Sequence, residues 1–146
     1  MTILLLVLAS TITAQHKRSA ILDWGEFQSI GNQSSKVGEV IFAVGKLTVP
    51  RHGNVKLVGT AGVLEAGGDR DLKIYGAGVV GRTISFGTRE RDGISYRFSG
   101  KFNENYMTDA HGVPTGVILA GTLVKLDQGK ELLRTSVKFH FQFYSD

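Results

Sequence analysis

From Glu131 to Tyr144 the chain alternates. Leu133, Val137, Phe139, Phe141 and Phe143 fall on one side, and Arg134, Ser136, Lys138, His140 and Gln142 on the other. Successive side chains of a strand point to opposite faces, so this stretch is a strand with one buried and one wetter face. A row of phenylalanines is a large apolar load, roughly 1.5–3 kcal/mol for each ring fully buried. The row is expected to form the floor of the core.

This strand is the second half of a hairpin that begins at Thr115 and turns at Asp127-Gln128-Gly129. A three-residue loop with Gly129 last predicts Leu123 opposite Leu133, Leu119 opposite Val137 and Val117 opposite Phe139, because glycine takes positive φ without steric cost. A two-residue loop would pair Val124 with Leu133 and Ile118 with Phe139, at the cost of forcing Gln128 into positive φ. The first half, Ile118 to Leu126, is apolar on both faces, which makes it a candidate surface for a homodimer.

The rest of the chain from Lys36 onward reads as strand after strand. Val37–Val49, Val55–Glu65, Leu72–Gly78 and Val79–Thr88 are β-prone runs separated by Gly- and Asp-rich turns. No segment has a helical period with caps at both ends. A second hairpin is predicted to turn through a three-residue loop, Arg91-Asp92-Gly93, that pairs Phe86 with Phe98, Thr88 with Tyr96 and Ile84 with Gly100, since facing partners must share a side of the sheet; a two-residue Asp92-Gly93 turn would set Phe86 against Ser99. The fold class is all-β, a single-domain antiparallel β-barrel of about eight strands, with a β-sandwich as the alternative. Glycines inside strands, such as Gly45, Gly59 and Gly76, mark bends of the kind a closed barrel needs.

The first residues stand apart. Ile3 to Ala9 is an unbroken apolar run, followed by small residues to Ala14 and then Gln15-His16-Lys17-Arg18. This has the form of a secretory signal peptide and is too short to span a membrane. Residues 1–14 are therefore read as a signal peptide and 15–146 as one β domain, secreted or periplasmic, with no transmembrane segment after processing. Against this reading, no Lys or Arg precedes the run, and a basic cluster directly follows it. The alternative is a first core strand. Residues 15–35 read as mostly irregular, with a strand over Ser19–Trp24. The absence of cysteine excludes disulfides, thiol nucleophiles and thiolate metal sites.

No catalytic residues, cofactor or metal site are assigned. Gly76-Ala77-Gly78-Val79-Val80-Gly81 matches a dinucleotide-binding spacing, but no helix follows it, so it is strand glycine. The longest irregular stretch, Asn103–Pro114, is the candidate ligand-binding loop, with Asn103, Tyr106, Asp109 and His111 as its polar groups. A net charge of +4 lies wholly outside residues 1–14. Arg89, Arg97 and Lys101, on one outward face, are a candidate surface for an anionic partner. No nucleic-acid module is recognisable, so specific nucleic-acid binding is not expected. The leading functional reading is an exported barrel that binds a small apolar or amphiphilic ligand. An assembly module using Ile118–Leu126 and an enzyme using the 103–114 loop are the alternatives.

Overall fold

The structure, a computed structural model, describes residues 20–22, 25–31 and 37–143. Among them, eleven strands are formed: β1 (Ala20–Leu22), β2 (Gly25–Ser29), β3 (Val40–Val49), β4 (Lys56–Ala66), β5 (Asp69–Val80), β6 (Thr83–Thr88), β7 (Ile94–Phe102), β8 (Met107–Thr108), β9 (Pro114–Thr115), β10 (Leu119–Asp127) and β11 (Lys130–Phe143). Strands β2 to β7, then β10 and β11, each pair antiparallel with the next, and β11 pairs back with β2. The result is the predicted closed barrel of eight antiparallel strands, with up-and-down connections, and not a sandwich. Closure leaves the barrel wall without two open edges to protect.

Strand β2 was not expected from the sequence. It continues along β3 in the register that β1 starts, with Leu22 opposite Leu47 and Phe27 opposite Phe42. The strand read over Ser19–Trp24 is β1, and Ser19, Asp23 and Trp24 lie outside the described residues, as do 1–14. Five residues suffice for β2 because Phe27, 2% exposed, gives it a single strong anchor against Phe42 and Phe141.

The barrel is filled by side chains. Phe42 stacks on Phe27 at 4.8 Å between ring centroids, leans on Phe86 and Phe98, and meets Phe139 edge-on at 5.0 Å. Offset and edge-on pairs at these separations are the favoured aromatic arrangements. Gly100 and Gly121 face each other across the β7–β10 ladder because the Phe98 ring occupies the space above them. A Cβ on Gly121 would lie 2.9 Å from that ring and 2.5 Å from the Gly100 Cα. The expected face of β11 is the inner one, with Val137, Phe139 and Phe141 buried and Lys138 exposed.

Both hairpins depart from the predicted loops. At β10–β11 the turn has two residues, Gln128 and Gly129, at φ 48° and 80°. A bulge then shifts the ladder between Lys125 and Leu126, so Leu119 faces Phe139, Leu123 faces Thr135 and Lys125 faces Leu133. The register of the two-residue alternative holds at the turn, with Asp127 opposite Lys130 and Leu126 opposite Glu131, and neither predicted register holds beyond the bulge. The residue gained at the bulge restores the alignment of inner faces, and it outweighs the modest cost of Gln128 at positive φ. At β6–β7 the expected strand register is observed, Phe86 opposite Phe98 and Ile84 opposite Gly100. Its turn is nevertheless a two-residue one, Asp92-Gly93, closed by reciprocal 2.9 Å bonds between Arg91 and Ile94. Strand β10 sits between β7 and β11; Ile118, Leu119 and Leu123 are buried, while Ala120 points outward.

Candidate functional site

The barrel has a hairpin end, where β4–β5, β6–β7 and β10–β11 turn, and a loop end, bounded by residues 50–55 and 103–118. The two ends are closed by different chemistry.

At the hairpin end, Lys125 and Tyr96 face each other across the β7–β10 ladder and both reach Asp69 at the start of β5. Lys125 Nζ donates to Asp69 Oδ2 at 2.8 Å, and the Tyr96 hydroxyl donates to the same oxygen at 2.7 Å. Burial alone would raise the Asp69 carboxyl. The hydrogen bonds from Lys125 and Tyr96 and the Lys125 charge outweigh it and hold the carboxyl below its ordinary value. Burial, then the bond to Asp69 and its charge, push the Tyr96 hydroxyl well above the usual phenol range. A phenol held this firmly in its neutral form is a poor base or nucleophile, so the cluster latches the rim.

The pH dependence follows from the direction of the Asp69 shift. A carboxyl depressed by folding adds stability above its unfolded value, near 3.8, and that stability is lost as pH falls through the folded value. Asp69→Asn is expected to be less stable than the parent at pH 7, with the gap narrowing once the pH falls below the unfolded value. Urea melts of the two proteins across that range check it; a gap that stays constant would mean that the carboxylate charge contributes nothing.

At the loop end, Arg82 is 7% exposed. Its guanidinium donates from Nε to Phe102 O at 3.2 Å, from Nη1 to Pro50 O at 2.6 Å and Gly53 O at 3.0 Å, and from Nη2 to Asn103 O at 2.9 Å. Glu104 lies 3.8 Å from Nε. Arginine's planar fork of donors suits this arrangement of carbonyls. Beside it Tyr106, 2% exposed, donates its hydroxyl to Val49 O at 2.6 Å, with Arg51 over its ring at 5.5 Å. Together these side chains stopper the loop end.

The sequence-predicted ligand loop lies here, and its four polar residues occupy different settings. Asn103 spends its amide on Val117 O and its carbonyl on the Asn105 N–H. Tyr106 belongs to the stopper. Asp109 is exposed and accepts from the backbone N–H groups of His111 at 2.8 Å and Val113 at 2.9 Å. The Val113 bond is the largest influence on its carboxyl, which is held below its ordinary value. His111 is exposed at the tip. The stretch is also less irregular than read: β8 and β9 pair, Met107 with Thr115 and Thr108 with Pro114.

A groove of about 680 Å³ lies in the wall where β2, β3 and β4 meet. Between Val44 and Lys46 the β3–β4 register jumps from Val44–Gly62 to Lys46–Val58, so β4 carries two more residues than β3 across this interval. The excess throws Gly59–Ala61 out of the ladder and leaves a hollow beside it. Ala43, Val44, Val58, Ala61 and Val63 line it with apolar surface, and its charged residues are Glu26 and Lys46. Sequence reading missed this site because its lining is short side chains, and the register shift that opens it shows only in the β3–β4 pairing.

Arg89, Arg97 and Lys101, read as a candidate surface for an anionic partner, are all exposed. Among the described residues, no group of three or more His, Cys, Asp or Glu is placed to hold a metal ion. None of their helices is long and apolar enough to cross a membrane. No protein-family model, curated protein or solved structure matches the chain.

Proposed function

We propose that the protein is an exported binding module, and that a small amphiphilic ligand lies in the wall groove between β2, β3 and β4. The observation that carries this reading is the groove itself, about 680 Å³ with apolar walls and one Lys and one Glu at hand. Small-molecule sites have this size and this mixture of apolar lining with a few polar groups. Two further observations favour the wall over the interior and the loop. The barrel's middle is occupied by phenylalanine rings, and the polar groups of Asn103 and Tyr106 are engaged by backbone. Export rests on the Ile3–Ala14 segment.

Protein recovered from its native host tests both parts by intact mass. The expected form begins after the small residues near Ala14, and solvent extraction releases an amphiphile. A form retaining residues 1–14 overturns export. For the groove, binding of anilinonaphthalene sulfonate is compared in the parent and in Ala61→Trp, which fills the hollow from an exposed position. Affinity is expected to fall about tenfold or more, or roughly 1.4 kcal/mol, with melting unchanged. Equal affinity in the two proteins would sink the groove reading.

A further inference from the structure

We propose that the outer face of β6, β7, β10 and β11 is a docking surface for an acidic polysaccharide. The register sets a row of hydroxyls across these four strands, Ser85, Ser99, Thr122 and Ser136, each directly opposite the next. Two positions towards the hairpin end, Arg97 on β7 and Arg134 on β11 flank Val124; two positions towards the loop end, Lys101 and Lys138 flank Ala120. Strands lie about 4.8 Å apart and rise about 3.3 Å per residue, so the four cations mark a rectangle of roughly 10 by 13 Å with the hydroxyls across its middle.

The charge on this face is nearly one-signed. The outward carboxylates on the four strands, Asp127 and Glu131, lie at the hairpin end, and Arg134 already holds Glu131 with two 2.9 Å bonds. Among the described residues, Arg97, Lys101 and Lys138 are in no salt bridge. Lys73 and Arg89 continue the patch, joined by the Arg89 N–H to Lys73 O bond. Such a field attracts polyanions.

The spacing and the surroundings select the kind of polyanion. Cations this far apart, separated by hydroxyls, match a polymer whose acidic groups are carried on hydroxylated sugar rings. Duplex nucleic acid presents a far denser charge, one per about 1.7 Å of axis, and single strands want a succession of aromatic platforms. Among the described residues this face offers one, Tyr75. Its ring is 54% exposed, lies within 3.5 Å of where a Gly87 side chain would begin, and borders a hollow of about 430 Å³ shared with Ser85, Arg97 and Thr122. A single flat ring beside hydroxyls suits the C–H face of one sugar. An anionic bilayer would instead be met by projecting apolar side chains, whereas Val124 and Ala120, between the cations, are one buried and one a methyl group.

Calorimetric titration with polygalacturonate and dextran sulfate tests the proposal, with neutral dextran as a blank. The parent is expected to bind both acidic polymers, with affinity falling as salt rises. Arg97→Gln/Lys101→Gln is expected to bind about tenfold more weakly or worse, while Lys56→Gln/Arg70→Gln, the same charge change elsewhere, keeps the parent's affinity. Tyr75→Ala is expected to weaken binding most at high salt, where charge is screened. Equal losses in the two double variants would reduce the effect to net charge and overturn the docking surface. Tighter binding to duplex DNA or phosphatidylserine vesicles than to either polysaccharide would overturn the choice of partner. Arg134→Gln/Lys138→Gln repeats the test if the first variant melts early, and anilinonaphthalene sulfonate binding by the same variants reports separately on the groove.

Discussion

Phe139→Ala is expected to cost about 3–5 kcal/mol, and Lys138→Ala, next to it in the chain, to stay within about 0.5 kcal/mol. Phe139 is fully buried and meets Phe42 at 5.0 Å and Phe98 at 5.5 Å, both rings nearly perpendicular to it. Truncation removes the ring's transfer energy and leaves a hole bounded by rings attached to two other strands, β3 and β7, which cannot both close on it. Lys138 points away from the same backbone into solvent. Urea melts of the two variants measure the difference directly. Similar losses would mean that the inner and outer faces of β11 have been exchanged.

Arg82→Met is the second large effect, also about 3–5 kcal/mol, because removing one side of a buried, hydrogen-bonded charge network leaves its partners stranded. Methionine keeps most of the stem volume, so the loss isolates the guanidinium. Four carbonyls from two segments, Pro50 and Gly53 in one loop and Phe102 and Asn103 at the end of β7, lose their donor together. Arg82→Lys keeps the charge but not the fork and is expected to recover only part of the stability. The melting temperature of Arg82→Met should fall by roughly 10 °C, at about 2–4 °C per kcal/mol for a domain of this size. A fall of a degree or two would show that water replaces the guanidinium at little cost. The loop end would then be held by Tyr106 and packing alone.

The two hairpins show what alternation can and cannot carry. On β11 the odd-numbered residues face inward, as the sequence indicates, yet Leu119 faces Phe139 where Val137 was expected. A slip by two residues keeps every side chain on its own face, so nothing in a period-two pattern opposes it. The turn and the bulge decide the register, and a bulge has no sequence mark as strong as a turn's. At β6–β7 the strand register was legible because the wrong choice would have set Phe86 against Ser99, opposite faces of the sheet. The turn was not, because a two-residue loop alone carries the wrong register, and the slack between Thr88 and Arg91 is what joins it to the observed ladder.

The candidate sites divide in the same manner. Arg89, Arg97 and Lys101 were placed on one face by alternation within a hairpin. Arg134 and Lys138 join them only once β10 intervenes between β7 and β11, which the strand order supplies. Asp109 and His111 were recognisable as loop residues from their neighbours, but not that Asp109 spends its carboxylate on the loop's own N–H groups.

Which face of each strand is wet, roughly where the chain turns, and that the fold is antiparallel β are local matters. They are set by the steric period of extended backbone and by residues within a few positions, so the chain read alone determined them. The closing strand β2, the burial of Arg82 among carbonyls 20 to 32 residues away, the groove and the rectangle of cations belong to the tertiary structure. Each depends on which distant segments closure brings together, and a pattern that repeats every two residues holds no record of that distance.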